Sequence, residues 1–251
     1  MSGEITSASM QRAPELLGET VVCIGGSAGI GLETARRART EGAEVVLTGR
    51  SPDRLKRAAA EVDAQRTAAF DATDPAALHD FFEDLSGPID HVLVTAGGPR
   101  YGPLLEMDTA DVREALSGHA MLGLEVARNA KAKMRPGGTL ILMGGTGGRR
   151  IDHRLGIVSA ATATLPPFTA ALALELAPIR VNLIAAGFVD TLLSASLLGD
   201  QLEDRRTELI STLPIGRVVG PEDVAALAVH LMVNTALTGA TYDIDGGQQF
   251  I

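Results

Sequence analysis

The chain alternates between short apolar runs and longer amphipathic stretches, and this alternation limits its possible folds more than any other feature. Seven runs rich in Val, Ile and Leu are typical of strands covered on both faces: Thr20–Ile24, Glu44–Thr48, Thr67–Phe70, His91–Thr95, Thr139–Met143, Arg180–Ile184 and Thr241–Ile244. The stretches between them predict helices: Gly29–Thr40, Pro52–Val62, Pro75–Leu85, Thr109–Met134, Pro166–Ala177 and Pro221–Val233. This rhythm predicts an α/β fold with a doubly wound parallel sheet of about seven strands and helices on both faces.

One domain is the simplest organisation, because the sequence shows no repeat, low-complexity tract or linker. Residues 1–17 are expected to form an N-terminal tail, and residues 18–251 the domain. Within it, Leu192–Leu213 is polar and helical and has no strand of its own. We expect this segment to leave the sheet as a lid.

Composition and charge exclude several classes of partner. The net charge of −9 argues against a nucleic-acid ligand, which needs a basic face. The lone Cys23 cannot form an internal disulfide and lies in an apolar run, so we expect a buried structural thiol. Met1–Glu15 lacks a signal-peptide pattern, and no uninterrupted apolar run approaches membrane-spanning length. We expect a soluble, cytoplasmic protein without a membrane partner or a metal site.

A glycine-rich turn joins the first predicted strand to the first predicted helix. Its residues are Ile24-Gly25-Gly26-Ser27-Ala28-Gly29-Ile30-Gly31. Glycines here allow a tight turn and close approach of a diphosphate to the backbone, and the helix N-terminus offers free N–H groups. This placement predicts a Rossmann-like dinucleotide site at Gly25, Ser27, Gly29, Ile30 and Gly31.

The Gly-x-x-x-Gly-x-Gly spacing resembles that of the short-chain dehydrogenase/reductase family. Four further segments resemble motifs of the same family: Val94-Thr95-Ala96-Gly97, Glu175–Asn182, Ala186–Thr191 and Asp243–Gly247. The resemblance runs from Thr20 to about Gly247 and implies a nicotinamide dinucleotide as cofactor. It also implies a homodimer or homotetramer.

The resemblance further assigns residues to parts of the cofactor. Asp71 and Ala72, after the third strand, fall where the family contacts the adenine. Ala96 and Gly97 would line the nicotinamide side. Gly187, Val189 and Thr191 belong to the segment that would meet the carboxamide.

The end of the second predicted strand favours NADP(H) over NAD. An NAD site needs a carboxylate there for the ribose hydroxyls, and the family's acidic position falls on Gly49. Arg50 and Ser51 follow at once, and a guanidinium can pair with a 2′-phosphate. The alternative is a solvated loop arginine beside an ordinary turn glycine.

The resemblance breaks at the proton relay. The family uses a Tyr, a Lys four residues later, and a Ser thirteen residues before the Tyr; these positions fall on Val158, Thr162 and Gly145. The family's helix-four Asn falls on Ala120. No Tyr-x-x-x-Lys exists anywhere in the chain, because Leu105 and Gly246 follow its two tyrosines, Tyr101 and Tyr242, at that spacing.

Four residues are weak candidates for a substitute acid, and the catalytic residues remain unassigned. Thr146 lies one residue past the Ser position, His153 lies in a loop that borders the substrate in the family, and Tyr101 follows the fourth strand. His119 lies beside the lost Asn position. A solvated loop is the favoured interpretation of His153.

The pair Pro166-Pro167 predicts a break in the fifth helix. Proline inside a helix removes a donor and clashes with the preceding turn, at a cost of about 3 kcal/mol or more. We expect the helix to start or kink here, with Leu165 pushed toward an extended conformation.

Two functional hypotheses follow. The favoured one is an NADP(H)-dependent oxidoreductase that transfers hydride to or from a small carbonyl or imine without the usual relay. The alternative is a non-catalytic NADP(H)-binding sensor or scaffold that kept the fold. A non-redox enzyme has no supporting metal cluster or nucleophile–base pair in the sequence.

Overall fold

Seven parallel strands form the sheet in the computed structural model, which describes residues 13–149 and 153–251. They are β1 (Thr20–Ile24), β2 (Glu44–Gly49), β3 (Arg66–Ala69), β4 (Ile89–Val94), β5 (Met134–Gly145), β6 (Arg180–Ala186) and β7 (Thr241–Ile244). Their order is β3-β2-β1-β4-β5-β6-β7, and every neighbouring pair is parallel. The sheet is therefore Rossmann-like, as predicted, and its order reverses between β1 and β4.

Helices cover both faces of this sheet. In the described residues they are α1 (Gly29–Thr40), α2 (Pro52–Val62), α3 (Pro75–Glu83), α4 (Thr109–Ala130), α5 (Gly156–Ala163), α6 (Leu165–Glu175), α7 (Leu192–Leu198), α8 (Leu202–Thr212) and α9 (Pro221–Val233). One apolar core lies between the sheet and α3, α4 and α6, with Phe82 fully buried in it. A second core lies under α1, α2 and α9, with Val224 fully buried.

The sequence located most elements but missed α5 and the start of β5. The helix α5 consists of small and apolar residues, Gly-Ile-Val-Ser-Ala-Ala-Thr-Ala, and has no polar face to reveal its period. The strand β5 starts at Met134, which pairs with Ile89, although a Pro-Gly-Gly run follows at once. The predicted helix over Thr109–Met134 consequently ends earlier, at Ala130.

The two adjacent prolines lie where the prediction put a helix start. Pro166 and Pro167 occupy the first turn of α6, where the backbone N–H groups would lack intrahelical partners anyway. Thr164 separates α5 from α6 and keeps helical dihedral angles of φ −78° and ψ −22°. The expectation of an extended Leu165 is wrong, because Leu165 is already the first residue of α6.

The structure describes part of the expected N-terminal tail and the whole of the segment expected to form a lid. Leu16 is fully buried in the core under α1 and α9, so the folded unit includes this part of the expected 1–17 tail. Residues 1–12 lie outside the described residues. The segment predicted as a lid forms α7 and α8 without a strand, and Leu192, Leu193 and Leu197 are exposed on it.

The expectation that no apolar run approaches membrane-spanning length needs correction at the helices α5 and α6. Over Gly156–Glu175 they form the one stretch of the described chain that is long and apolar enough to cross a membrane, judged by length and composition. Leu165 and Leu172 of this stretch pack into the core beside the sheet. Core helices of soluble proteins pass the same test.

A buried arginine joins β6 to the end of α9. Arg180 is 6% exposed and donates to five main-chain carbonyl groups. The acceptors are Gly137 (3.1 Å), Leu231 (2.7 Å), Met232 (2.6 Å), Asn234 (3.1 Å) and Leu237 (3.2 Å). The carbonyls at a helix C-terminus lack intrahelical donors and carry the negative end of the helix dipole, so the guanidinium satisfies both needs.

We predict that Arg180→Met lowers the free energy of unfolding by about 3 kcal/mol, because several buried carbonyl groups lose their donors. Urea denaturation followed by circular dichroism measures this change. Arg128→Met on α4 is the control, because that side chain is 62% exposed and pairs only with Glu125. Equal unfolding midpoints for both variants would show that the hydrogen bonds of Arg180 do not stabilise the contact between β6 and the end of α9.

Candidate cofactor and active site

The glycine turn after β1 lies at the point where the strand order reverses, which is where parallel α/β sheets bind ligands. Thr95 directly follows β4 and holds the turn in place. Its hydroxyl lies 3.2 Å from the carbonyl oxygen of Ile24 and 3.1 Å from that of Gly25, to which it donates. The N–H of Ala96 also donates to Ile24, at 2.9 Å. These bonds bring the ends of β1 and β4 together around one crevice.

Glycine is required in this turn on steric grounds. Gly25 has φ +99°, and a Cβ there would lie 2.7 Å from the Ala96 nitrogen. A Cβ on Gly31 would lie 2.5 Å from the Gly25 carbonyl oxygen. Both contacts are with backbone atoms and could not be relieved by a side-chain rotation. The turn can therefore approach β4 this closely only with glycine at both positions.

The first turn of α1 offers free donors to the crevice. Within the described residues, no hydrogen-bond acceptor faces the backbone N–H groups of Gly29, Ile30 and Gly31. Such groups carry the positive end of the helix dipole and bind anions. Thr191 borders them from the far side, since a Cβ on Gly29 would lie 3.5 Å from the Thr191 methyl carbon. The structure thus brings together two predicted parts of the dinucleotide site that are distant in sequence.

The end of β2 packs against the glycine turn through Gly49. A Cβ on Gly49 would lie 2.8 Å from Ser27 Oγ and 3.0 Å from Ser27 Cβ. Any side chain at position 49 would therefore have to displace Ser27. This packing gives a physical reason for the glycine at the position where an NAD site carries its carboxylate.

Arg50 is exposed at the end of β2, beside the residues that follow β3. In the described chain it makes neither a hydrogen bond nor an ion pair within 4.0 Å, so its guanidinium is available to an anion. The pKa of Asp71 lies below its usual value because Thr73 donates from its N–H (3.0 Å) and its hydroxyl (2.8 Å), with a smaller contribution from the charge of Arg50. Ala72 is 8% exposed beneath them.

Ser51 begins α2 and already has a structural role. Its Oγ accepts a hydrogen bond from the Arg54 N–H at 3.4 Å, which caps the helix. The hydroxyl hydrogen stays available, so capping does not prevent Ser51 from donating to a phosphate.

The segment after β6 is fixed by the C-terminal residues. A Cβ on Gly187 would lie 2.6 Å from Asp245 Cβ, and Gln248 Oε1 accepts from the Phe188 N–H at 2.7 Å. Val189 forms a bridge with Val219. These contacts define the path of the chain toward Thr191.

The helices α7 and α8 are bonded to the same segment. Thr191 caps α7, accepting from the Ser194 N–H at 3.4 Å. Arg206 of α8 forms a forked pair with Asp190, with distances of 2.9 Å from Nε and 2.7 Å from Nη2. Movement of α7 and α8 would therefore be transmitted to Asp190 and Thr191.

The structure brings together three of the positions where the family carries its relay. Gly145 ends β5, and a Cβ on it would lie 3.4 Å from the Thr162 methyl carbon. Val158 and Thr162 lie one turn apart on α5. The Thr162 hydroxyl donates to the Val158 carbonyl at 2.8 Å, so its hydrogen is used within its own helix. The three positions therefore lie close together, and neither Gly145 nor Val158 has an ionisable side chain.

A small cavity of about 100 Å³ lies beside these positions. One face of α4 lines it with Ala115, Gly118, His119 and Leu122, and α5 contributes Val158, Ala161 and Thr162. Glu114 of α4, Thr73 after β3 and Ala96 to Arg100 after β4 complete the lining. Ala120, where the resemblance puts the family's Asn, packs against the apolar core, and the preceding residue, His119, lines the cavity.

The four candidate acids differ in their position relative to the cavity and in the direction of their pKa shifts. His119 lines the cavity, and burial lowers its pKa below the usual value. Tyr101 is 47% exposed, and desolvation raises its pKa despite an opposing effect of Arg205, which makes the phenol a weaker acid. Thr146 is buried outside this cavity, and His153 is exposed.

Two supporting residues escaped the sequence analysis. Thr95 stands where the family carries an Asn, and this substitution could have indicated its contact with the turn. Ser159 on α5 donates to the Gly147 carbonyl at 2.6 Å and holds the chain after β5 against the helix. No sequence signal separates Ser159 from an ordinary helix-face serine.

The lone cysteine is structural, as expected. Cys23 is fully buried in β1, and burial raises the pKa of its thiol to about 12. A thiol with such a pKa is protonated at neutral pH and unreactive.

Comparison with known proteins adds a family match and several relatives. The family model described as Enoyl-(Acyl carrier protein) reductase matches residues 25–249. Carbonyl reductase family member 4 of Xenopus tropicalis is 30% identical over 239 residues, which cover 92% of this chain and 98% of that protein. The NADP-dependent (R)-specific alcohol dehydrogenase of Lentilactobacillus kefiri is 30% identical over 252 residues, with 92% and 97% coverage.

A solved structure extends the similarity. The crystal structure of BdcA in complex with NADPH has a TM-score of 0.81 and 30% sequence identity, and the match covers 93% of this chain and 95% of that one. A family match over residues 25–249, near-complete coverage of the relatives and a shared fold agree with the glycine turn and the strand order. The chain therefore belongs to the short-chain dehydrogenase/reductase family.

Proposed function

We propose that this protein binds NADP(H) in the crevice at the glycine turn. We further propose that it is an oxidoreductase acting on a small carbonyl or imine substrate without the Tyr/Lys relay. The observation that carries the proposal is the combination at the ends of β1 and β2. It consists of helix-terminal amides and an Arg50 side chain without partners among the described residues, together with a glycine at position 49. The relatives named above, one NADP-dependent and one bound to NADPH, support the choice of cofactor.

The crevice fits a diphosphate group. The N–H groups of Gly29, Ile30 and Gly31 would donate to the phosphate oxygens, assisted by the helix dipole. Side chains at Gly25 or Gly31 would collide with the backbone around the crevice, so the cradle depends on their absence.

The extra phosphate of NADP(H) would bind at the end of β2. Arg50 would pair with it through a charge-assisted fork, and the Ser51 hydroxyl would donate to it. Gly49 leaves no carboxylate to repel it. The positive charge of Arg50 contributes to the lowered pKa of Asp71, whose carboxylate is already bonded to Thr73.

The nicotinamide end would lie toward Ala96, Gly97 and Thr191. When bound, NADPH supplies a hydride to an electrophilic carbon. The chain's own residues would bind and orient the reactants and exclude water, while Gly145, Val158 and Thr162 offer no acid. Loss of a positioned general acid typically lowers a rate by about 10²- to 10⁴-fold. Substrates that already carry a proton or a positive charge would suffer least.

A binding protein without catalysis is the second candidate. The observation in its favour concerns α5, which lines the cavity with Val158, Ala161 and Thr162. The Thr162 hydroxyl is donated to the Val158 carbonyl, so these three described side chains present no free donor. Such a protein would bind the cofactor through the same crevice and sense or transmit its presence.

We predict that Arg50→Ala weakens NADPH binding by about 10- to 100-fold, because a charge-assisted bond contributes roughly 1.5–3 kcal/mol. NADH, which lacks the 2′-phosphate, should bind almost unchanged. Fluorescence titration of the reduced cofactors measures both affinities. Arg57→Ala, an exposed arginine further along α2, is the control and should leave both affinities unaltered. Equal losses for NADPH and NADH in Arg50→Ala would refute the assignment.

We predict that the protein oxidises NADPH with at least one member of a panel of small ketones, aldehydes and cyclic imines, and fastest with an imine. Absorbance at the reduced-cofactor band measures consumption, and a reaction without substrate is the control. Tight NADPH binding with no consumption across the panel would contradict the oxidoreductase and favour the binding protein.

A further inference from the structure

The cavity between α4 and α5 has few groups that could bind a ligand's reacting atom. Two hydroxyls of the lining have acceptors among the described residues: Thr162 donates to the Val158 carbonyl and Thr73 to the Asp71 carboxylate. The neighbouring hydroxyls of Thr95 and Ser159 donate to main-chain carbonyls. The side chains of Val158 and Ala161 are apolar. Hydroxyl chemistry therefore contributes no free proton here.

The charged residues of the lining are paired. Arg100 lies 2.8 Å from Glu114 and 3.8 Å from Asp111. Arg100 and Glu114 line the cavity as this ion pair, and the lining residues of α5 carry no charge.

His119 remains as the polar side chain with unused hydrogen-bonding capacity. Ala115, Gly118, His119 and Leu122 follow the i, i+3, i+4, i+7 spacing that places residues on one helix face. Leu122 is buried in the core, which fixes the rotation of α4 and keeps this face toward α5. No hydrogen-bond partner of the His119 ring lies among the described residues. The imidazole is held at the cavity with both nitrogens available to a ligand.

We propose that His119 is a catalytic residue that hydrogen-bonds the reacting group of the substrate beside the nicotinamide end of the cofactor site. This inference rests on the proposed function, because it takes Ala96 and Gly97, which share the cavity with His119, as the nicotinamide side.

The environment of His119 also indicates a substrate class. Burial lowers its pKa, so near neutral pH the ring is uncharged and can accept a hydrogen bond. A protonated C=N group that gains a hydride becomes a neutral amine and requires no proton from the protein. A C=O group becomes an alkoxide that must be protonated, which a neutral imidazole does poorly. A neutral acceptor without a neighbouring ammonium group therefore fits a protonated imine better than a ketone.

The decisive experiment measures the pKa of His119 by NMR in histidine-labelled protein that is free, saturated with NADP⁺, or saturated with NADPH. His119→Asn assigns the resonance. The two cofactor forms share their phosphates and differ in the positive charge of the oxidised ring. We expect the pKa of His119 to be about 0.5 to 1 unit lower with NADP⁺ than with NADPH, as a charge within several ångströms requires.

His79 is the internal control. It lies on α3 and pairs with Asn129 at 2.9 Å, away from the cavity, and its NMR signals should be the same in both complexes. Both cofactor forms binding with no difference in the pKa of His119 would overturn this inference and leave the proposed function standing. Failure of NADPH to bind at all would overturn the proposed function, and this inference with it.

The chemical role is tested on the panel substrate that is consumed fastest. His119→Leu should lower kcat/KM by about 10- to 100-fold, and His119→Asn, which keeps a hydrogen-bonding side chain, should recover much of the loss. The affinity for NADPH should be equal in all three proteins. Unchanged turnover in His119→Leu would overturn the catalytic role.

Discussion

The structure depends on the close approach of the glycine turn to the end of β4. A Cβ at Gly25 or Gly31 would collide with neighbouring backbone atoms. Its absence lets the Thr95 hydroxyl approach and donate to the carbonyl groups of Ile24 and Gly25. This contact fixes the direction of α1, so the free amides at its first turn point into the crevice where the strand order reverses. The proposed cofactor site is thus a consequence of backbone packing, with few side chains needed to form it.

The ends of the other strands refine that crevice. Gly49 lets β2 pack against Ser27, and this packing removes the carboxylate position while leaving Arg50 free at the surface. On the opposite side, Asp190 and Thr191 are bonded to α8 and α7 respectively. Binding energy gained at the phosphates can therefore influence α7 and α8 through a short, continuous series of contacts.

Much of this could be predicted from the sequence, for physical reasons. The glycine spacing between the first strand and the first helix indicates a turn that has no room for side chains. The residues after β2 indicate the local charge, because they include an arginine and no carboxylate. The helix α5 was missed because small apolar residues show no amphipathic period. The start of β5 was hidden by the Pro-Gly-Gly run that follows Met134 and Arg135. That His119 lines the cavity while Ala120 packs against the core depends on the rotation of α4, which its buried residues set and the sequence does not reveal.

The fold brings together the positions where the family resemblance puts the proton relay. Gly145 packs against Thr162, and Val158 and Thr162 line the cavity. His119, on α4, lines the same cavity and has no hydrogen-bond partner among the described residues.

A crystal structure of the protein grown with saturating NADPH tests the central claim most directly. The account predicts the diphosphate within hydrogen-bonding distance of the Ile30 and Gly31 N–H groups and the 2′-phosphate in contact with the Arg50 guanidinium. An empty crevice at saturating cofactor, or a nucleotide bound elsewhere, would contradict it.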